Sequence, residues 1–435
     1  MIQIILWWIF LIFWLIIFGL LLGHLFLGVL SWVAIHLRET QHPDFRPWQI
    51  KEYDHFKPEV SIICCAKNEE DSIGNLLEGL VKQDYPPEKF EILIVDDLSD
   101  DNTPNIVLDY IKKYKETGPK IHLLQKKNYS PKPEGFNPVA HGITLAIEES
   151  SHEIIIITEA DCMHYPTYLK FVVYPFSDEY NTLHKSKYNP NRIEFVASPP
   201  IMIGNSLIET LQRIDYSIMV WHQLGALELG RAWLKKEVGA WGGSLAFTKS
   251  LFKRIEGWKG IEHHSVQDLA IVRKLQHGTN IRALLAFDRR VQVESETEPT
   301  LKRAIRQRMR WFKGCWDLKG DFPDFKQGQF ILSGIPFILE NFSIAMIILS
   351  LLEIILNLNF IPESIFFFPN WILALIVLSL VYLIRYGTVI QAQKSEVLTK
   401  GYKIRKTAWL LLGFWLWFYN WMYIMSYFKR SIVWK

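Results

Sequence analysis

"EVSIICCAKNEEDSIGNLLEGLVKQDYPPEKFEILIVDD", Glu59 to Asp97, decides the fold class. "EVSIICCAKNEE" is a short β-rich run closed by polar residues, and "SIGNLLEGLVKQ" carries apolar residues at helical spacing. "FEILIVDD" is a second apolar run that ends in two carboxylates. Together they predict a β-α-β unit. The pattern returns in "KIHLLQ", the helical "VAHGITLAIEES" and "EIIIITEADC", so an open α/β sheet is expected over the middle of the chain. In such sheets ligands bind beyond the carboxyl ends of the strands, where Asp96 and Asp97, then Glu159 and Asp161, are expected.

Outward from this middle the chain turns apolar. Of 435 residues 14% are aromatic and 17 are Trp, a composition that points to a membrane. The formal charge of +3, from 48 Lys and Arg against 45 Asp and Glu, offers no broad positive surface for nucleic acid. Cys64, Cys65, Cys162 and Cys315 have neither CxxC spacing nor paired histidines, which argues against a zinc site or a disulfide framework and for reduced thiols.

From Ile2 to Ile35 the run is almost continuously apolar, against the roughly 20 residues that one span needs. One long tilted helix is expected, with a tight hairpin as the alternative. The basic start and the cleavage site of a signal peptide are both missing from this run. Three more spans are expected at about 330–356, 371–390 and 408–428. The loop 357–370 has no Lys or Arg, whereas 391–407 holds Lys394, Lys400, Lys403, Arg405 and Lys406, which assigns the latter and the middle domain to the cytoplasm.

Four positions carry the chemistry. Asp97 ends one strand, Glu159 and Asp161 end another, and Asp268 opens the helix "DLAIVRKLQHG". "AIRQRMRWFKG", Ala304 to Gly314, then sets Gln307, Arg310 and Trp311 among further basic residues. Singly, each has a plainer reading. Acids after a strand suit turns and N-caps, Asp268 suits an N-cap, and a basic cluster before an apolar run suits a membrane-flanking stop. "SLIETLQRIDYSIMVWHQLGALELGRAWLKK", Ser206 to Lys236, fits either amphipathic helices lying on the membrane or a packed helix pair.

Taken in order, "PEVSIICCAKNEE", "ILIVDDLSDDNT", "KPEGFNPVAHGI", "TEADC", "GGSLAFTKSLFKRIEGW", "VQDLAIVRKL" and "QRMRW" resemble the family 2 glycosyltransferases. The likeness is to their membrane-embedded subgroup, which includes cellulose, hyaluronan and poly-N-acetylglucosamine synthases. It implies an α/β GT-A domain, Rossmann-like, on the cytosolic side, with one N-terminal and about three C-terminal transmembrane helices. The implied division is a span at 1–36, a linker at 37–57, the transferase domain at 58–300, an interfacial segment at 301–329, spans within 330–428 and a tail at 429–435.

The resemblance also implies roles. Asp161 matches the metal-binding acid of the family's DxD motif, with Glu159 in place of its first Asp, so a divalent Mg²⁺ or Mn²⁺ is expected. Asp97 matches the nucleotide-recognising acid and Lys132 a donor-holding Lys, one residue further from the glycine than is common. Asp268 matches the general base, with neutral Gln267 where an acid usually precedes it and His263 and His264 nearby. Gln307 and Arg310 match the diphosphate contacts and Trp311 the acceptor-positioning residue, which would leave Arg306, Arg308 and Lys313 to face lipid headgroups.

The expected partners are a nucleotide-sugar donor, a UDP-sugar first, a lipid or glycan acceptor, and the membrane, with no nucleic acid. The expected activity is inverting transfer of one sugar to a lipid or lipid-linked acceptor at the inner or plasma membrane. A processive polysaccharide synthase and a non-catalytic scaffold are the alternatives.

Overall fold

A computed structural model describes residues 2–41, 55–129, 131–183, 191–234, 243–278, 281–286, 290–321, 335–356, 369–394 and 404–428. Most of the two loops behind the positive-inside assignment, and the tail 429–435, lie outside these residues. The β-α-β reading holds: β1 (Val60–Ala66), α2 (Ile73–Val81) and β2 (Phe90–Asp96) follow the N-terminal helix α1 (Ile2–Gln41). Then come α3 (Thr103–Tyr114), β3 (Lys120–Gln125), α4 (Pro138–Glu149) and β4 (Ile154–Thr158).

Strands β1 to β4 are parallel and lie in the order β3-β2-β1-β4. The sheet continues through β8 (Leu245–Thr248), antiparallel to both its neighbours, to β6 (Ile193–Ala197) and β9 (Arg282–Leu285). Both faces are covered. Val60, Ile62 and Cys64 pack with Ile73, Leu76, Leu77 and Leu80 of α2, while Ile63 and Leu93 pack with Ala140, Ile143 and Ile147 of α4. That is why β4 reads as an unbroken apolar run rather than an alternating one. A second small sheet of β5 (Cys162–Met163), β10 (Glu294–Glu296) and β7 (Ile201–Ile203) closes over the carboxyl end of β4. The short helices α5 (Tyr168–Val173), α6 (Asp178–Leu183) and α8 (Lys249–Arg254) lie in the connections between strands.

At the opposite, amino end of β2, Glu91 is almost fully buried. It accepts hydrogen bonds from Ser61 Oγ at 2.6 Å and from the Ser151 amide at 2.6 Å, and His122 Nε2 lies 3.4 Å away. Burial alone would raise its pKa, but the bonds from His122, Ser61 and Ser151 outweigh it and bring the carboxyl down to about 2. A depressed acid stabilises the fold above its ordinary value of 4.5, and that contribution is lost as pH falls from there toward about 2. Glu91→Gln is therefore expected to cost about 2–3 kcal/mol at pH 7 and much less near pH 2.5. Thermal unfolding of both proteins across this range checks it; a gap that does not change with pH would refute the assignment.

The apolar run at the N-terminus is one helix, α1. Together with α11 (Ile335–Leu356) and α12 (Asn370–Lys394) it gives, among the described residues, three helices long and apolar enough to cross a membrane. The fourth expected span, at 408–428, is a helix, α13 (Lys406–Tyr427), but it is not among the three. Its Trp, Tyr and Asn residues lower its hydropathy, and several are used for specific bonds rather than for lipid. Asn420 donates to Glu340 of α11 at 2.9 Å, and Glu340 is paired with Arg385 of α12 at 2.6 Å, so the buried charge in the bundle is satisfied.

The stretch beginning at Ser206 is a single helix, α7 (Leu207–Leu234). Leu211 and Ile214 pack against Val389 of α12 and against Leu412, Trp415 and Leu416 of α13. Its first half is thus a packed element, joined to α12 and α13.

Candidate active site

The acids collect where the strand order predicted. Asp97 follows β2, and its amide donates to the carbonyl of Ala66 at the end of β1, 2.8 Å away. The β2–β3 register pairs Asp96 with Gln125, so the next residue on each strand also meets: Lys126 Nζ lies 2.8 Å from Asp97 Oδ1 and also donates to the carbonyl of Pro138. Both side chains are largely buried. Helix α4 comes close here, since a Cβ on Gly142 would stand 2.7 Å from Cys65 Sγ and 3.2 Å from Lys126 Cε. Lys132, the lysine singled out in the sequence, is instead exposed on the loop before α4, with Nζ 3.2 Å from the carbonyl of Pro133.

Glu159 and Asp161 follow β4. Asp161 Oδ2 accepts from Ser295 Oγ at 3.2 Å, because Ser295 on β10 pairs with Cys162 on β5. Glu159 is open to water, yet protein lines the cleft around it. Confinement is the first reason its carboxyl holds a proton more tightly than usual, followed by the charges of Asp161 and Asp268, with Arg310 offsetting part of the effect. Asp161 is shifted in the same direction by burial and by Glu69. Potential ligand atoms of Glu159, Asp161 and Cys162 lie within 4.8 Å of one another. Burial raises the Cys162 thiol pKa strongly, so that side chain stays a neutral thiol and the hard donors here are the two carboxylates. Crowded, partly desolvated acids of this kind fit a divalent cation.

Asp268 lies in the first turn of α9 (Gln267–Gly278). The preceding loop is fixed by Asn137, which caps α4 and donates through Nδ2 to the carbonyl of His264 at 2.9 Å. Of the two histidines, His263 is exposed and His264 buried, with ring centroids 4.3 Å apart. Helix α10 (Leu301–Asp321) carries Gln307, Arg310 and Trp311; Gln307 is bonded to Arg308, and Trp311 lies against Tyr216 with ring centroids 6.2 Å apart. Arg310 is half-buried; desolvation lowers its pKa, while Glu159, Asp268, Glu298 and Asp161 act against that shift. One guanidinium is thus held in its charged form by acids that follow β4 and open α9.

Gly314 explains how α10 comes so close. A Cβ there would stand 2.0 Å from Val266 Cγ2 and 3.0 Å from Ser265 Oγ, backbone neighbours of Asp268. Gly314→Ala is expected to push the loop and helix apart, costing about 1–3 kcal/mol and at least about tenfold in turnover. Adding Val266→Ala should recover part of both. Unchanged turnover in Gly314→Ala would show that this approach does not set the site.

Two expectations are corrected. Arg308 does not face lipid: it is fully buried, 2.7 Å from Asp215. Lys313 is paired with Asp317 at 2.6 Å, and only Arg306 is exposed as expected. The sequence reading missed Lys126, Glu69 and Ser295. Lys126 was within reach, because adjacent parallel strands that end together place the residue after β3 beside the residue after β2. Ser295 comes from a three-residue strand that carried no pattern of its own.

Comparison with known proteins bears on this arrangement. The model described as "Glycosyl transferase family 2" matches residues 61–255, and that of "Glycosyl transferase family group 2" matches 222–434. "Probable glycosyltransferase YdaM" of Bacillus subtilis is 26% identical over 259 residues, which is 59% of this chain and 55% of that protein. "Beta-monoglucosyldiacylglycerol synthase" of Trichormus variabilis is 38% identical over 88 residues, 20% of this chain and 19% of that one. The matched stretches thus span about half or less of these relatives. The solved mannosyltransferase PcManGT of Pyrobaculum calidifontis, in complex with GDP-Man and Mn²⁺, shares the fold at 15% identity. Its TM-score is 0.55, over 96% of this chain and 99% of that one.

Proposed function

The chain belongs to glycosyltransferase family 2, and from that premise we propose that it transfers a single sugar, with inversion, from a nucleotide-sugar donor to a lipid or lipid-linked acceptor at the membrane surface. The observation that carries this reading is that Arg310 feels the charges of Glu159, Asp161 and Asp268 on a helix whose other face packs against the C-terminal apolar helix α13. Phe312 of that helix packs on Tyr419 and Tyr423 of α13, with ring centroids 4.8 and 5.5 Å apart. An acceptor held in lipid would thus meet the donor without leaving the interface. The similarity to a synthase that makes a glucosyl lipid supports the same acceptor class.

In this reading Asp97 accepts hydrogen bonds from the nucleotide, and Lys126 fixes the direction in which its carboxylate points. Lys132 has a place only at the rim of the donor site. Glu159 and Asp161 would hold Mg²⁺ or Mn²⁺ through carboxylate oxygens, and the cation, when bound, supplies positive charge for the diphosphate. Asp268 takes the proton of the attacking acceptor hydroxyl, on the face away from the leaving group. Gln307 and Arg310 meet the negative charge that develops as the nucleoside diphosphate departs, Arg310 through its two-point fork. Trp311 offers an apolar face to the acceptor. The domain is assigned to the cytoplasmic face of the cell membrane, where nucleotide sugars are available.

The test is to incubate the full chain in lipid nanodiscs with UDP-glucose, UDP-N-acetylglucosamine, UDP-galactose and GDP-mannose. Nucleoside diphosphate release and the mass of the lipid product are measured after chelation and after Mg²⁺ or Mn²⁺ is restored. A lipid heavier by one sugar, formed only with metal, is the expected result. A ladder of masses would replace it with the processive reading, and no release from any donor by folded protein would overturn it.

A further inference from the structure

Arg308 is the most deeply buried charge on the active-site helix, and its surroundings are complete. Nε lies 3.1 Å and Nη2 2.7 Å from Asp215 Oδ1, and Nη2 is also 3.2 Å from the carbonyl of Gln212, both acceptors on α7. Nη1 donates to Gln307 Oε1 at 2.7 Å. Its guanidinium carbon stands 4.3 Å from the centre of the Trp311 ring. Asp215 Oδ2 in turn accepts from Trp415 Nε1 of α13 at 2.9 Å.

A buried ion pair rarely adds net stability over an apolar replacement, so its presence calls for another reason. The direction of the bonds supplies one. A guanidinium has only donors, so the Gln307 atom that faces it must be the amide oxygen. That leaves the two N–H donors of Gln307 for a ligand, the polarity an anion requires. The same guanidinium lies against Trp311, the site residue one turn further along the helix. Held by α7 and, through Asp215, by α13, Arg308 cannot turn away and release either one.

We infer that Arg308, held by Asp215 and Trp415, is a positioning residue that orients Gln307 as a donor to the leaving diphosphate and fixes Trp311, tying both to the membrane bundle. The inference rests on the active-site reading of Gln307 and Trp311 given above, and goes beyond it in naming what sets their orientation. It differs from a purely architectural salt bridge in one measurable way: Arg308 should act through Gln307.

The test is a double-mutant cycle in nanodiscs, read as donor-dependent nucleoside diphosphate release with the most active donor of the panel. Arg308→Lys, which keeps the charge but cannot reproduce the planar set of bonds, is expected to lose at least about tenfold in kcat/KM and to raise the donor KM as Gln307→Ala does. In the Gln307→Ala background the same change should cost about threefold or less, since the residue it acts through is gone. Trp415→Phe removes only the last bond of the chain and guards against misfolding of Arg308→Lys. It should lose about threefold alone and almost nothing beside Gln307→Ala.

Equal losses in both backgrounds, or a fall in kcat with donor KM unchanged, would make Arg308 architectural and overturn the inference while leaving the active-site reading intact. Full activity in Gln307→Ala would instead overturn the placement of Gln307 at the diphosphate, and the inference with it.

Discussion

Asp268→Asn lowers sugar transfer at least about a hundredfold while donor affinity stays within about twofold, the outcome expected when a general base is removed and the diphosphate site is left whole. The amide keeps the size and hydrogen-bonding reach of the acid and loses only its ability to take a proton. The surrounding structure makes the experiment clean. Asp268 sits in the first turn of α9 behind a loop that Asn137 and the close approach at Gly314 both hold, so the substitution has little freedom to disturb its neighbours. Removing one of the acids that crowd Glu159 and Arg310 should also not weaken donor binding, because fewer negative charges then oppose the diphosphate. Donor affinity is measured by calorimetry with the UDP or GDP form of the active donor, and transfer by product mass. Near-full turnover in Asp268→Asn would move the base elsewhere, with buried His264 and its exposed neighbour His263 the next to be substituted.

The parts of the molecule legible in the sequence are those where local pattern and final environment coincide. Ile62 to Cys64 and Ile92 to Ile94 are apolar because both faces of the sheet are covered, so the strands announced themselves and their ends located the acids. Asp268 was legible for the same reason: it opens a helix whose apolar spacing is plain. What could not be read were partners distant along the chain. Arg308 in a basic run looks like a headgroup contact until α7 brings Asp215 against it, 93 residues away in sequence.

Lys126 and Lys132 illustrate the same limit at short range. Both are lysines near a glycine and proline loop, and only the register of β3 against β2 distinguishes the one that reaches Asp97. The helix Lys406–Tyr427 shows the limit of hydropathy. Its aromatic residues suit a membrane boundary and a protein interior alike, and Trp415 and Asn420 are spent on Asp215 and Glu340.

Arg310→Lys is expected to lose about a hundredfold or more in turnover, and this separates a phosphate clamp from a lipid anchor. An ammonium preserves the charge, and on anionic headgroups it would serve as well as a guanidinium. At a leaving diphosphate it forfeits the planar pair of donors, which is where the loss arises. The surroundings favour the clamp: the groups that hold Arg310 in its charged form are Glu159, Asp268, Glu298 and Asp161, all from the α/β domain rather than from the membrane side. Arg306, exposed on the same helix, is the proper control, and Arg306→Lys should stay within about twofold because a solvated charge is replaced by its like. Arg308→Lys cannot serve as a second control, since Arg308 is buried against Asp215 and is expected to lose activity for its own reason. The measurement is donor-dependent turnover of Arg310→Lys and Arg306→Lys in the same lipid, at saturating and limiting donor. Equal activity of the two variants would remove Arg310 from the diphosphate site and return the run from Arg306 to Lys313 to a flanking role at the membrane.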